Sequence, residues 1–273
     1  MDVFQKRQRH VHMKFIDIHA HVYPDAIAGK AAQSIRNFYG LEGEGMDGTA
    51  GMLMQQGARA GITKYLILPV AVKPEQVSSI NHYIHSKTLE QDCFLGFGTV
   101  HAGMEDIIGE AERIAAMGLK GIKIHPDCQR FDIDDPRLYP LYETVQGKLP
   151  MMIHMGDVKY DHSHPARLRR VLELFPDLQV CAAHFGGHTM YETAREYLSD
   201  TSCIMDISST LMFMEKGQAE YYINHYGAER LAFGTDYPVW DPVQEVQRFL
   251  SLNITQTQRE QIAHKTAERF LNL

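Results

Sequence analysis

The chain has 273 residues, of which 44% are hydrophobic and 22% charged, and its formal net charge is −7 at pH 7. This composition is typical of a folded globular protein and excludes an intrinsically disordered chain. The acidic balance and the lack of a basic face argue against nucleic acid as a partner, because a phosphate backbone is bound by clustered lysine and arginine side chains.

Residues 1–12 precede the first apolar run and lack the apolar stretch of a signal peptide. We expect them to form a disordered extension, and residues 13–273 to form one domain, because no linker or change in composition divides them. No apolar run approaches the length of a membrane span, which argues against a membrane partner. The four cysteines lie singly, without a CxxC pair, as is typical of reduced thiols in a cytoplasmic protein.

Short continuous apolar runs alternate with amphipathic stretches along the chain. Such runs are typical of parallel strands that are buried on both faces. The eight predicted strands are Phe15 to His19, Lys64 to Pro69, Phe94 to Val100, Leu119 to His125, Met151 to His154, Gln179 to Ala183, Cys203 to Ile207 and Leu231 to Thr235. Amphipathic helices are predicted between them, for example Met104 to Met117 and Ala166 to Phe175.

Strands that alternate with helices throughout imply parallel pairing, which leaves an open doubly wound sheet or a closed barrel. Eight strand–helix units favour a closed barrel over an open sheet. No GxGxxG turn follows the first strand, so a dinucleotide-binding open sheet loses its main support. The sequence therefore predicts a (β/α)8 TIM barrel of the α/β class.

Histidine and aspartate side chains fall at the carboxyl ends of several predicted strands, where barrel active sites are built. His19 and His21 project to the same side of the first strand, because side chains alternate along a strand. His154, His184 and Asp236 end the fifth, sixth and eighth strands. A buried structural histidine or a helix cap would explain each residue singly. Together they predict a catalytic metal site with an open position for water.

The segments FIDIHAH, IHMG, AHFGGH and FGTDYP occur in this order at strand ends. With them the sequence resembles the amidohydrolase-related family that includes aminocarboxymuconate semialdehyde decarboxylase and related decarboxylases, hydratases and hydrolases. The resemblance extends from Phe15 to the final helix, where Thr266 replaces the asparagine that is usual in the family's NAxRxF ending. It implies a barrel of the metal-dependent hydrolase type, a catalytic His184, and metal ligands at His19, His21, His154 and Asp236.

Lys123, in GLKGIKIHP, leaves the number of metal ions open. In binuclear members of the wider superfamily a carboxylated lysine bridges two metals, and His184 would then bind the second one. The alternative is a barrel-interior lysine paired with a carboxylate such as Asp17. The HxGG motif favours one divalent ion, with zinc as first choice and manganese as the alternative.

The loop after the fifth strand, GDVKYDHSHP, lies where barrel enzymes bind their substrates. Lys159 and Tyr160 of this loop are candidate substrate-binding residues. His125 is a third, because it shares the face of Lys123 and lies nearer the strand end. An anionic substrate would also benefit from Arg130, although solvation is the more common role of such surface charges.

Substrates with a carbonyl group fit such a site best. A metal-activated water with Asp236 as the base predicts hydrolysis of a small amide, ester or lactone, which is our first choice. The same groups could hold a carboxylic acid, which gives a decarboxylase or hydratase as the alternative. A non-catalytic metal- or ligand-binding barrel is disfavoured, because structural zinc sites are usually closed by four ligands and often by thiolates. The expected partner is a small-molecule substrate, and a homo-oligomer stays open.

Overall fold

A computed structural model of the protein describes residues 13–43 and 45–273. The extension that we predict over residues 1–12 lies outside the described residues. Within the described ranges, no helix combines the length and apolar character needed to cross a membrane.

Parallel strands follow one another around the molecule in sequence order. They are β1 (Phe15–Ala20), β2 (Ile62–Ile67), β3 (Phe94–Gly96), β4 (Gly98–Thr99), β5 (Ile122–Ile124), β6 (Met151–Ile153), β7 (Val180–Ala182), β8 (Ile204–Asp206) and β9 (Leu231–Ala232). Segments β3 and β4 are two halves of one barrel strand, interrupted at Phe97. The first half pairs with β2 and the second half pairs with β5.

The barrel closes between its first and last strands. The backbone N–H of Ile18 donates to the carbonyl of Phe233 at 3.0 Å. Ala20 pairs in parallel with Tyr237. Because β3 and β4 belong to one strand, the barrel has eight strands, and the predicted (β/α)8 fold is confirmed.

Helices connect successive strands, and the last of them follow β9. They are α1 (Ala28–Tyr39), α2 (Ala50–Ala60), α3 (Val77–Glu90), α4 (Ile107–Ala116), α5 (Pro126–Gln129), α6 (Tyr139–Val145), α7 (Pro165–Leu174), α8 (Tyr191–Leu198), α9 (Gln218–Tyr226), α10 (Pro242–Ser251), α11 (Gln256–Glu260) and α12 (Thr266–Leu271). Helix α4 begins later than the predicted Met104, because the Asp106 side chain accepts a hydrogen bond from Gly109 N–H and caps the helix there.

The barrel interior is apolar at the end where the strands begin. Ile16, Leu66 and Phe97 pack there with Phe270 and Leu271 of α12. The C-terminal helix therefore covers the amino ends of the strands. Polar side chains are left to the opposite end, where the strands finish.

Helix α1 lies over that opposite end, which we call the barrel mouth. The Arg36 guanidinium donates to the carbonyl of Val239 at 3.1 Å and to that of Gly43 at 3.2 Å. Phe38 stacks on Tyr160, with 5.4 Å between the ring centroids. These contacts fix α1 to the segments that follow β9 and β6.

Candidate active site

The side chains predicted at strand ends converge at the barrel mouth. His19, His21, His154, His184 and Asp236 are each between 1% and 8% exposed. All five border one cavity of about 460 Å³. The structure thus brings together the four predicted metal ligands and the predicted catalytic histidine.

Two imidazoles and one carboxylate form a tight cluster in the mouth. The Nε2 atoms of His19 and His21 lie 3.6 Å and 3.4 Å from the same oxygen, Oδ1 of Asp236. Nδ1 of His21 faces the carbonyl of Leu68 at 2.7 Å, and Nδ1 of His19 faces Oδ2 of Asp206 at 2.9 Å. These acceptors assign the ring proton to Nδ1, so both Nε2 atoms present lone pairs. Three electron-pair donors therefore face one another, an arrangement that a metal cation would stabilise.

Electrostatics keep His19 and Asp236 in their metal-binding forms. Burial and the positive charge of Lys123 lower the pKa of His19 to about 4, so this imidazole is neutral at pH 7. Burial alone would raise the pKa of Asp236, but its contacts with His21 and His19 outweigh burial and hold that pKa well below its usual range. A neutral imidazole and an ionised carboxylate are the states that bind a divalent metal.

Asp206, the last residue of β8, is a site residue that the sequence analysis missed. It is fully buried, and its Oδ1 accepts a hydrogen bond from the Ser208 hydroxyl at 2.5 Å. Its other oxygen orients His19. Burial would raise the pKa of Asp206, but the hydrogen bonds from His19 and Ser208 help to hold it below its usual range. A carboxylate near the end of a predicted strand was the available signal, as it was for Asp236.

His154 occupies a position beside the tight cluster. Its Nδ1 lies 3.1 Å from Nε2 of His184, and its ring stacks on His125 with 3.7 Å between centroids. Its Nε2 lies 3.7 Å from Oδ2 of Asp127. Three of the predicted metal ligands, His19, His21 and Asp236, therefore form the tight cluster, whereas His154 borders the same cavity beside His184.

Lys123 is fully buried inside the barrel, and burial lowers its pKa to about 8. Its Nζ lies 3.5 Å from Nε2 of His19. The pairing with Asp17 that we considered is not formed, because the Asp17 carboxylate accepts hydrogen bonds from the backbone and hydroxyl of Thr235 instead. The lysine is thus next to a predicted ligand, and its role as a metal bridge stays a prediction.

The candidate substrate-binding residues are spread over the mouth. His125 borders the 460 Å³ cavity, and its Nε2 lies 2.7 Å from the Tyr39 hydroxyl. Lys159 borders a second cavity of about 220 Å³. Tyr160 and Arg130 border a third, more superficial cavity of about 770 Å³. The structure therefore separates Tyr160 and Arg130 from the cavity that holds the histidines.

Backbone strain is concentrated at the same rim. His184, Ser209 and Asp236 have φ values of 60°, 51° and 57°. Residues other than glycine rarely adopt this left-handed region, and each such residue costs on the order of 1 to 3 kcal/mol. All three border the 220 Å³ cavity. Clustered strain of this kind is typical of functional sites.

A closed parallel barrel with histidine and aspartate side chains at its carboxyl end defines the class of metal-dependent amidohydrolase barrels. The family model described as amidohydrolase matches residues 16–273. The chain therefore belongs to the amidohydrolase family, and the resemblance stated from the sequence is confirmed.

Solved structures of other proteins share the fold. An uncharacterised TIM-barrel protein from Bordetella bronchiseptica superposes with a TM-score of 0.80 at 22% identity, over 95% of this chain and 99% of that chain. For 5-carboxyvanillate decarboxylase from Sphingomonas paucimobilis the TM-score is 0.73 at 16% identity, over 96% and 99%. A dihydroxybenzoic acid decarboxylase from Polaromonas, with bound manganese and the inhibitor 2-nitroresorcinol, gives 0.74 at 16%, over 96% and 97%.

Proposed function

We propose that the protein is a metal-dependent lyase that decarboxylates a small carboxylic acid. The observation that carries this proposal is the cluster of three electron-pair donors from His19, His21 and Asp236 at the barrel mouth. Our first choice from the sequence, a hydrolase, would use the same centre. The activities of the Sphingomonas and Polaromonas proteins favour decarboxylation over hydrolysis.

The donor set fits a first-row divalent ion. Imidazole nitrogen and carboxylate oxygen suit both zinc and manganese, and the Polaromonas structure contains manganese. His19, His21 and Asp236 would hold the ion, with His154 as the fourth residue of the proposed set. When bound, the ion supplies positive charge that binds and polarises an oxygen of the substrate.

Decarboxylation breaks the bond between a carbon atom and its carboxylate. Carbon dioxide leaves, the electron pair stays on the carbon, and a proton must be delivered there. His184 is the proposed donor. Its Nδ1 proton is held by the carbonyl of Ser208 at 3.0 Å, so the proton that it transfers would be a second one, taken up from solvent on Nε2 in the imidazolium form. Asp236, oriented by the Ser209 hydroxyl, lies beside it and is the second proposed catalytic residue.

Two further residues would position the substrate. Lys159 places an exposed ammonium at the edge of the smaller cavity, where it would attract a carboxylate. His125 offers an imidazole inside the larger cavity. Tyr160 would act indirectly, through the stack with Phe38 that helps to hold α1 over the mouth.

The experiment is a release assay on the manganese- and zinc-loaded protein with two panels, one of small aromatic and unsaturated carboxylic acids and one of amides, esters and lactones. We expect carbon dioxide from at least one acid and no hydrolysis. The His19→Ala, His21→Ala double variant is the matched control and should be inactive. Hydrolysis without carbon dioxide would favour the hydrolase, and metal binding without turnover on either panel would favour a non-catalytic barrel.

A further inference from the structure

Tyr39, the last residue of α1, divides the barrel mouth into two compartments. The large compartment, about 460 Å³, lies beneath α1 and contains His19 and His21. The small compartment, about 220 Å³, lies on the other side of Tyr39. Tyr39, His184 and Asp236 border both. The two compartments therefore meet at the groups that we propose to carry out the reaction.

The outer wall of the large compartment is mostly apolar. Ile27, Ala31, Ile35, Phe38, Val70 and Val72 form most of it, and Lys30, Ser34 and Gln76 add polar groups. Ile27 is 51% exposed and Val72 is 48% exposed, so both leave apolar surface in contact with water. Exposed apolar surface that lines a concave site next to convergent polar groups is typical of a ligand-binding cleft.

The volumes indicate how large a ligand the mouth can hold. An apolar cavity of about 150 Å³ in a protein interior holds one benzene molecule. The small compartment, about 220 Å³, is close to the size of one substituted ring. The large compartment, about 460 Å³, is roughly three times the benzene cavity. A single-ring acid whose ring lies in the small compartment and whose carboxylate reaches the junction at His184 would leave most of the large compartment unfilled.

We propose that the substrate is a carboxylic acid that carries a bulky apolar group, and that this group occupies the large compartment beneath α1. The position of the reacting carboxylate rests on the proposed decarboxylase function. The binding of the apolar group does not, because it needs only the wall of the compartment. Each methylene group that moves from water into such a site strengthens binding by roughly fourfold.

The test compares two carboxylates, benzoate and 4-cyclohexylbenzoate, by isothermal titration calorimetry on the manganese-loaded full chain. The cyclohexyl group adds six apolar carbon atoms, and the large compartment is big enough to hold all of them. We expect 4-cyclohexylbenzoate to bind tighter than benzoate by about tenfold or more. Equal affinities would overturn the proposal.

A matched pair of variants locates the apolar group. Ala31→Phe places a ring in the large compartment and should bring the two affinities close together by weakening the binding of 4-cyclohexylbenzoate. Gln33→Phe adds the same ring at an exposed position of α1 and should keep the wild-type ratio. If Ala31→Phe kept the wild-type ratio of the two affinities, the proposal would be overturned. If Ala31→Phe does not fold, as judged by its circular dichroism, Ala31→Leu fills part of the same space and should lower the ratio.

The outcomes also separate this proposal from the proposed reaction. Tight binding of 4-cyclohexylbenzoate without carbon dioxide release from any acid would leave the compartment assignment standing and reject decarboxylation. Carbon dioxide release from single-ring acids, combined with equal affinities for the two probes, would support decarboxylation and reject the compartment assignment.

Discussion

Replacing Asp206 with asparagine tests whether this carboxylate sets the proton position on His19. In the wild-type protein Oδ2 accepts from Nδ1 of His19 at 2.9 Å. Oδ1 accepts from the hydroxyl and backbone N–H of Ser208 at 2.5 Å and 3.0 Å, and from His184 N–H at 3.3 Å. Both carboxylate oxygens thus act only as acceptors, whereas an asparagine side chain has one acceptor oxygen and one NH₂ donor.

Either orientation of that amide creates a conflict. An NH₂ group toward His19 faces the Nδ1 proton, which would move to Nε2 and remove the lone pair needed for metal. An NH₂ group toward Ser208 faces its hydroxyl and backbone N–H instead. We therefore expect Asp206→Asn to weaken metal binding by about 10- to 100-fold, as loss of a hydrogen-bond partner of a metal ligand commonly does. The free energy of unfolding should fall by roughly 1 to 3 kcal/mol through the unpaired buried donors.

The assay is competition between the protein and a chelator for zinc or manganese, with the unfolding transition measured on the same preparation. Asp92→Asn, at an exposed position, is the control for loss of one negative charge. Wild-type metal affinity in Asp206→Asn would refute the argument that Asp206 fixes the tautomer of His19. An unchanged free energy of unfolding in Asp206→Asn would refute the argument that the variant leaves buried donors unpaired.

Four further predictions address the site and the core. The purified protein should carry about one divalent metal per chain by elemental analysis, and the His19→Ala, His21→Ala variant should lose it; retention would refute the ligand assignment. Lys123→Ala should leave that stoichiometry at about one, whereas two ions bridged by a carboxylated lysine in a crystal structure would show a binuclear centre. His184→Asn should keep its metal and its melting temperature while losing about two or more orders of magnitude in rate, and metal loss would instead indicate a second-metal ligand. Burial raises the pKa of Glu245 to about 7, so the folded protein binds a proton more tightly than the unfolded chain, and stability from this group falls as the pH rises toward 7. In denaturant titrations Glu245→Gln should therefore gain stability relative to wild type at pH 8 but not at pH 4. If the stabilities of the two proteins changed in parallel with pH, this prediction would be wrong.

The barrel and the place of its site could be predicted because both follow local patterns. Strands buried on two faces need continuous apolar runs, and the HxH spacing puts His19 and His21 on one side of β1 whatever the rest of the chain does. The position of helix α1 over the mouth was not predicted, because its buried face consists of Ala28, Ala32 and Arg36 and carries little apolar surface. Arg36 is buried only because carbonyls from other segments surround it.

The remaining errors concern contacts between distant parts of the chain. Asp17 takes its hydrogen bonds from Thr235, more than two hundred residues away, and is therefore not the partner of Lys123. Asp206 acquires its role only when β8 is brought beside β1. Single-sequence reasoning sees the residue types but not which of them meet, so such roles follow only from the folded structure.

The packing of α12 against the amino ends of the strands has a practical consequence for handling the protein. Lys14, just before β1, forms an ion pair with Glu268 of α12, with 2.5 Å between Nζ and Oε1. Both described chain ends therefore lie on the face opposite the mouth. A fusion partner, affinity tag or solid support attached at the C-terminus would point away from the entrance, so the immobilised protein should keep open access for small molecules. Because Lys14 and α12 are in contact, a circular permutant that joins the two described ends and has new termini in an outer loop is a reasonable engineering target.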